Sequence, residues 1–251
     1  MNPRPGRGPL RRAPGRMRGD GFTQEGRVAR DAREAPRAPG VQPGQAQEID
    51  ARFRGNAALV PGPATVWRVE SGDVLAPGKP VTLAWDNGAG QIFRRTFALD
   101  DRYLFTVTQS LENSGAAPFS AAPYGILARH GRPDTQNFFI LHEGAVGMTD
   151  GKLVERKYKD MVKFDPVGSE GPALVAQAAT NGWIGFTDKN WMTTLIPAPG
   201  QAFTAVVKYA PGADIFQTET RLPVQTVAPG TVLSSASYLF AGAKEWETIN
   251  H

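Results

Sequence analysis

The sequence predicts an all-β fold of antiparallel sheets packed face to face, and three observations predict it. Turn dipeptides recur at Pro61-Gly62, Pro77-Gly78, Asn87-Gly88, Asp150-Gly151, Pro199-Gly200, Pro211-Gly212 and Pro229-Gly230, and each bends the chain. Between them apolar and polar residues alternate with period two, the mark of a strand with one buried and one wet face. Helical periodicity is scarce, so a second apolar sheet surface is what covers the inner faces.

The elements follow in order. Residues 1–55 hold twelve Arg, no Lys and six acidic residues among Pro, Gly and Ala, with isolated apolar residues that show no period. Such a segment buries too little surface to offset its ordering entropy and reads as a disordered basic tail, with the folded domain at 56–251. Asn87-Gly88 joins Val81–Asp86 to Gln91–Leu99, the strongest short-range hairpin signal in the chain. Tyr103, Phe105, Val107 and Leu111 alternate with Thr106, Thr108, Ser110 and Glu112, and Asn113-Ser114-Gly115 is the next turn. Asp150-Gly151 joins 145–149 to 152–157, a short helix is expected over 155–164 and another over 243–250. Trp183, Ile184 and Phe186 precede the turn Thr187-Asp188-Lys189-Asn190, and Trp191, Met192, Leu195 and Ile196 follow it, so this hairpin is expected to anchor the core. Phe203, Ala205, Val207 and Tyr209 form a further buried face, as do Val232, Ala236, Tyr238 and Phe240.

Composition excludes several functions. The net charge of +4 arises in the first 55 residues, which carry +6, while the remainder carries −2 with sixteen basic and eighteen acidic residues. The domain therefore lacks the basic face of a nucleic-acid binder, and no nucleic-acid partner is expected. Phe138-Phe139-Ile140-Leu141, among the densest apolar runs, is far too short to span a bilayer, and no secretory leader is legible. Cysteine is absent, which excludes disulfides and thiolate metal sites. His130, His142 and His251 have no zinc-ligand spacing, so neither metal nor cofactor is expected. His142 and Glu143 are adjacent, and on an extended strand they point to opposite faces. No Gly-x-Ser-x-Gly elbow exists, and Asp86-Asn87-Gly88-Ala89-Gly90 is followed by neither Lys-Ser/Thr nor a helix. No catalytic residue is assigned, and the surviving idea is a shallow binding cleft on a rigid sandwich.

Four passages in sequence carry a family resemblance. Gly182-Trp183-Ile184-Gly185-Phe186-Thr187-Asp188-Lys189-Asn190-Trp191-Met192-Thr193-Thr194-Leu195-Ile196-Pro197 is the most specific. Pro61-Gly62-Pro63-Ala64-Thr65-Val66-Trp67 with the Leu75-to-Gly88 run through Trp85, Leu141-His142-Glu143-Gly144 with Tyr158-Lys159-Asp160, and Tyr238-Leu239-Phe240-Ala241-Gly242-Ala243-Lys244-Glu245 complete it. Together they resemble the large periplasmic domain of the bacterial YidC-type membrane protein insertases. That resemblance implies a twisted antiparallel β-supersandwich like that of the sugar mutarotases, with one or two short helices. It marks Trp67, Trp85, His142, Glu143, Gly144, Trp183, Gly185, Asp188, Trp191, Pro197, Phe240 and Gly242 as structural motif residues. It further implies a place on the periplasmic side of the inner membrane. The implied partners are accessory subunits of the Sec translocon and nascent membrane proteins. In the family an N-terminal anchor stands where the Arg-rich tail stands here, so the start is expected to be misassigned or frame-shifted. The insertion work belongs to a transmembrane core that this chain lacks, so a binding and scaffold role is expected. The alternative is a carbohydrate-binding or sugar-epimerase-like sandwich, with His130 or His142 and Glu143 or Asp188 as its nominees for acid–base work.

Overall fold

Two antiparallel sheets make the domain. They are seen in a computed structural model that describes residues 47–132 and 142–244. The smaller sheet orders β1 (Gln47–Arg54), β6 (Phe119–His130), β13 (Ile215–Arg221), β12 (Phe203–Ala210) and β9 (Ala173–Ala178), with β14 (Gln225–Val227) also on β6. The larger one orders β2 (Arg68–Ser71), β3 (Val81–Asp86), β4 (Gln91–Leu99), β5 (Leu104–Asn113), β15 (Thr231–Ala243), β11 (Trp191–Pro197), β10 (Gly182–Thr187), β7 (Gly144–Thr149) and β8 (Lys152–Lys157). One four-residue helix, α1 (Tyr158–Met161), and a 3-10 turn at Gly168–Glu170 interrupt the strands.

Turn chemistry sets the hairpins. Asp150 and Gly151 take φ of +46° and +79°, the mirror-image turn whose twist matches that of β7 and β8. Asn87 closes the β3–β4 loop by accepting bonds from the amides of Ala89 (2.8 Å) and Gln91 (3.1 Å) on its side-chain oxygen. The β10–β11 turn is closed by the Asp188 amide donating to the Trp191 carbonyl at 2.9 Å, with Lys189 and Asn190 at the tip. Long-range pairing then places β15 between β5 and β11.

Two apolar clusters fill the space between the sheets. The first joins Val107, Leu127, Ile184, Phe186, Leu195, Phe203, Val207, Phe216 and Leu239 around Tyr158 and Met161 of α1. Tyr158 packs edge-on to Phe216 at 4.9 Å and stacks on Phe186 at 5.8 Å. The second gathers Phe53, Phe93 and Phe119, with Phe93 at 5.2 Å from Phe53 and 6.2 Å from Phe119, and Trp67, Trp85 and Leu233 pack on its flank. Each fully buried Phe or Ile contributes roughly 1.5–3 kcal/mol of transfer free energy.

The fold departs from several of these expectations. β1 begins at Gln47 and pairs β6 over eight residues, so the sheet starts nine residues before position 56: Phe53, 1% exposed, is the second cluster's apolar anchor. The disordered reading of residues 1–46 lies outside the described residues, as do Phe138–Leu141 and His251. The expected 155–164 helix is confined to α1, because Glu155, Arg156 and Lys157 continue β8 against β7. Ala243 ends β15, and 245–250 are not described. Tyr103 is no strand residue; it turns with φ +65° and is 49% exposed, and Gln109 and Asn113 take buried positions beside Val107 and Leu111. In β15 the phase is the reverse of that expected: Leu233 and Leu239 face the core, while Val232 is 60% exposed. Small residues on both faces of that strand leave the alternation undecided in sequence. Trp183 and Trp191 are only half-buried, the core of their hairpin being Ile184, Phe186 and Leu195.

Candidate functional site

An open groove of about 730 Å³ lies where β1 leaves the smaller sheet. Phe53, Val60, Pro61, Ala122, Leu222 and Val224 wall it, and Arg54, Ser120 and Tyr124 supply its polar groups. The 56–65 loop forms one lip and is shaped locally. Asn56 accepts the Ala58 amide at 3.1 Å on its side chain and the Leu59 amide at 2.8 Å on its carbonyl. Gly62 donates its amide to the Thr65 hydroxyl at 2.8 Å.

A buried amide relay holds that lip to the sheet. Asn87 Nδ2 donates to the Leu59 carbonyl (3.0 Å) and to Gln91 Oε1 (2.9 Å), and Gln91 Nε2 donates to Asn113 Oδ1 (3.0 Å). Asn113, 0% exposed, donates in turn to the carbonyls of Val227 and Ala117, each at 2.9 Å. Every link is a neutral donor–acceptor pair, so the relay rigidifies the groove's support without adding charge.

The motif residues gather in two places. Trp67 and Trp85 flank the second cluster, Trp67 lying 4.1 Å under the Arg95 guanidinium and Trp85 5.5 Å from Phe93. At one end of the larger sheet, register brings Gly144 beside Thr187, Thr187 beside Met192, and Met192 beside Gly242. Asp188 there pairs with Arg129, whose guanidinium lies 5.5 Å from the Tyr158 ring, and accepts the Tyr158 hydroxyl at 3.1 Å. Burial, reinforced by the Asp188 charge, pushes the Tyr158 phenol well above its ordinary range. Lys244 donates to the Thr187 hydroxyl at 3.0 Å, and burial pulls its ammonium down against the opposing pull of Asp188 and Glu143. Gly185 has no room for a side chain, since a Cβ there would sit 1.9 Å from the Thr193 carbonyl oxygen. At Gly242 the Tyr103 ring takes the space a Cβ would occupy. Trp183 and Pro197 lie at the opposite end of β10 and β11, and Phe240 stands beside Thr194.

His142 Nε2 donates to the Ala145 carbonyl at 2.8 Å, and the groove is lined by none of His130, His142, Glu143 and Asp188. Sequence reasoning missed Arg129 and the whole groove. The Pro61-Gly62-Pro63 and Leu222-Pro223 punctuation was the available signal, but its three contributing segments are far apart in the chain. Among the described residues no group of three or more His, Asp or Glu could hold a metal ion, and no helix is long and apolar enough to cross a membrane.

The family model of the YidC periplasmic domain matches residues 39–251. The chain belongs to that family. The domain is 78% identical over 193 residues to the membrane protein insertase YidC of Paracoccus denitrificans, which covers 77% of this chain and 30% of that protein. It is 61% identical over 191 residues to the insertase YidC of Dinoroseobacter shibae, covering 76% and 32%. The chain thus spans about a third of the length of these curated relatives. Among solved structures, a galactose mutarotase related enzyme from Lactobacillus acidophilus superposes with a TM-score of 0.48 at 12% identity, over 72% of this chain and 74% of that one. The sandwich itself stands on the sheet orders given above.

Proposed function

We propose that this domain is the periplasmic part of an inner-membrane protein insertase, where it assists insertion and folding of membrane proteins, alone or with accessory subunits of the Sec translocon, by binding rather than by chemistry. The groove carries this reading. Its walls are apolar, and among the described residues its one charged group is Arg54 and no pair of groups suited to proton transfer lines it. An apolar trough with a few polar contacts fits an apolar stretch of a nascent membrane protein. The amide relay makes the trough rigid, so binding costs little ordering of the domain itself. The sugar-epimerase alternative requires a histidine base and a carboxylate facing one cleft; none of His130, His142, Glu143 and Asp188 lines the groove, and fold analogy alone is a weak warrant for activity.

The test is site-specific photocrosslinking in a full-length relative that carries this domain. A photoreactive residue at Val224, 71% exposed on the groove rim, is compared with one at Val232, 60% exposed on the larger sheet. Ribosome-bound nascent chains of a single-span membrane protein should crosslink to position 224 and not to 232. Equal labelling at both positions, or none at 224, removes the groove from the account.

A further inference from the structure

Four strands end the two sheet orders, and three of them are guarded. β1 has Asp50 and Arg54; β2 has Arg68 and Glu70 and a register break between Val69 and Ser71; β8 has Lys152, Glu155, Arg156 and Lys157. Charges and bulges of this kind keep an edge from pairing with other chains. β9, Ala-Leu-Val-Ala-Gln-Ala, has neither a charge nor a proline.

The hydrogen-bond parity of β9 shows which groups face outward. Tyr209 donates its amide to the Pro172 carbonyl at 3.1 Å, and in an antiparallel ladder bonded and non-bonded pairs alternate. Leu174 and Ala176, opposite Val207 and Ala205, therefore bond to β12, while Ala173, Val175 and Gln177 turn their amides and carbonyls away from it. The two ends of this outward row are closed. The Ala173 amide donates to the Asp165 carbonyl at 3.2 Å, and the Ala179 amide donates to the Asp150 carboxylate at 2.6 Å. Between these stops, the outward amides and carbonyls of Val175 and Gln177 have no hydrogen-bond partner among the described residues. Val175 is 38% exposed, and the Gln177 side chain is engaged by the Thr204 hydroxyl at 2.9 Å.

We infer that β9 is a strand-addition site that accepts a short extended segment of another polypeptide, uncharged over the residues that pair. Two outward residues offer up to four backbone bonds, and the window between the stops is about five residues, or roughly 17 Å of strand. The edge offers no counter-charge, so a segment neutral over those residues is the one that fits it. A second copy of this chain is a poor occupant. Paired antiparallel about a two-fold axis, each copy would bring its own Asp165 stop against the partner strand near Gln177. A single free segment meets no such obstacle. The inference stands apart from the groove, which lies at β1 on the other end of the smaller sheet, and holds whether or not the groove receives nascent chains.

Backbone amide exchange and NMR titration on the full chain test it. In the free chain the Val175 and Gln177 amides should exchange at least about tenfold faster than those of Leu174 and Ala176. The peptide Lys-Thr-Val-Thr-Val-Thr-Val-Lys-amide should shift the Val175 and Gln177 resonances saturably and slow their exchange about tenfold or more. The same peptide N-methylated on alternate residues should do neither. Val175→Pro removes one outward donor and no bond to β12, so it should abolish the titration while the other amide resonances of the domain keep their positions. Protected Val175 and Gln177 amides in the free monomer, or equal binding of the N-methylated peptide, overturn the inference. So does a concentration-dependent dimer, seen in sedimentation, that protects these amides without peptide.

Discussion

Replacing Asn113 with alanine probes the support of the groove most sharply. The side chain is wholly buried and makes four hydrogen bonds: it donates to Ala117 and Val227 and accepts from Gln91 Nε2 at 3.0 Å and the Gly115 amide at 3.1 Å. Asn113→Ala strands all four partners. At about 1 kcal/mol net for each bond, the loss is about 4 kcal/mol, with desolvated partners and the small void pushing it upward. For a domain whose whole stability is about 5–15 kcal/mol, that is a large fraction. Urea unfolding followed by tryptophan fluorescence is the assay. With a slope of about 2–3 kcal/mol per molar, the midpoint should fall by roughly 1.3–2 M. Gln91→Ala should cost less, and the double variant should lose less than the two single losses added, because the two side chains share a bond. A loss below about 1 kcal/mol for Asn113→Ala would refute the reasoning, since it would mean that water or a rearranged loop satisfies the stranded groups.

Further expectations concern the ion pairs, the glycines and acid. Arg129→Met leaves Asp188 and the Tyr158 hydroxyl without their cation and should cost about 3–5 kcal/mol in urea unfolding, whereas Arg129→Met combined with Asp188→Leu should recover much of it. Gly185→Ala drives a methyl into the Thr193 carbonyl and should destabilise by about 3 kcal/mol or prevent folding, read by thermal unfolding against the tolerated Gly212→Ala, which has open space around it. Glu170 is held near pH 2 by Arg221 and then Lys208, and Asp150 near 2 by the amides of Ala179, Asn181 and Thr180. Both folded-state values lie below the ordinary carboxylate range, so their stabilisation is present above about pH 4.5 and is lost as the pH falls toward 2; Asp150→Asn and Glu170→Gln should each flatten the acid limb of the stability profile. The isolated chain, added to liposomes with a single-span substrate, should insert nothing, as measured by protease protection.

Local structure was legible wherever turn chemistry and alternation agreed. The β3–β4, β7–β8 and β10–β11 hairpins follow from Asn87-Gly88, Asp150-Gly151 and Asp188-Lys189-Asn190, because each decision is made within a dozen residues. Pairings across the chain were not. β15 lies beside β5, more than a hundred residues earlier, and nothing local distinguishes that neighbour from another strand. Asn113 read as a turn residue because Asn favours turns, yet its amide can also satisfy buried carbonyls, and only the arrival of Val227 decides between the two. Arg129 and Asp188 meet from 59 positions apart, so Asp188 read as a turn residue and Arg129 carried no local signal. Turns and alternation supplied the two packed sheets and the family resemblance sharpened them to a supersandwich, while the groove, assembled from residues 53–63, β6 and the 222–224 link, was beyond any linear pattern.

On the proposed function, this domain recognises polypeptide at the groove by binding alone. Fluorescence anisotropy of a labelled, stalled nascent membrane protein titrated with the wild-type chain and with Val224→Asp tests it directly. The account predicts saturable binding to the wild type and at least about tenfold weaker binding to the variant, in which a charge stands at the mouth of an apolar trough. Equal affinity for the two chains would contradict it.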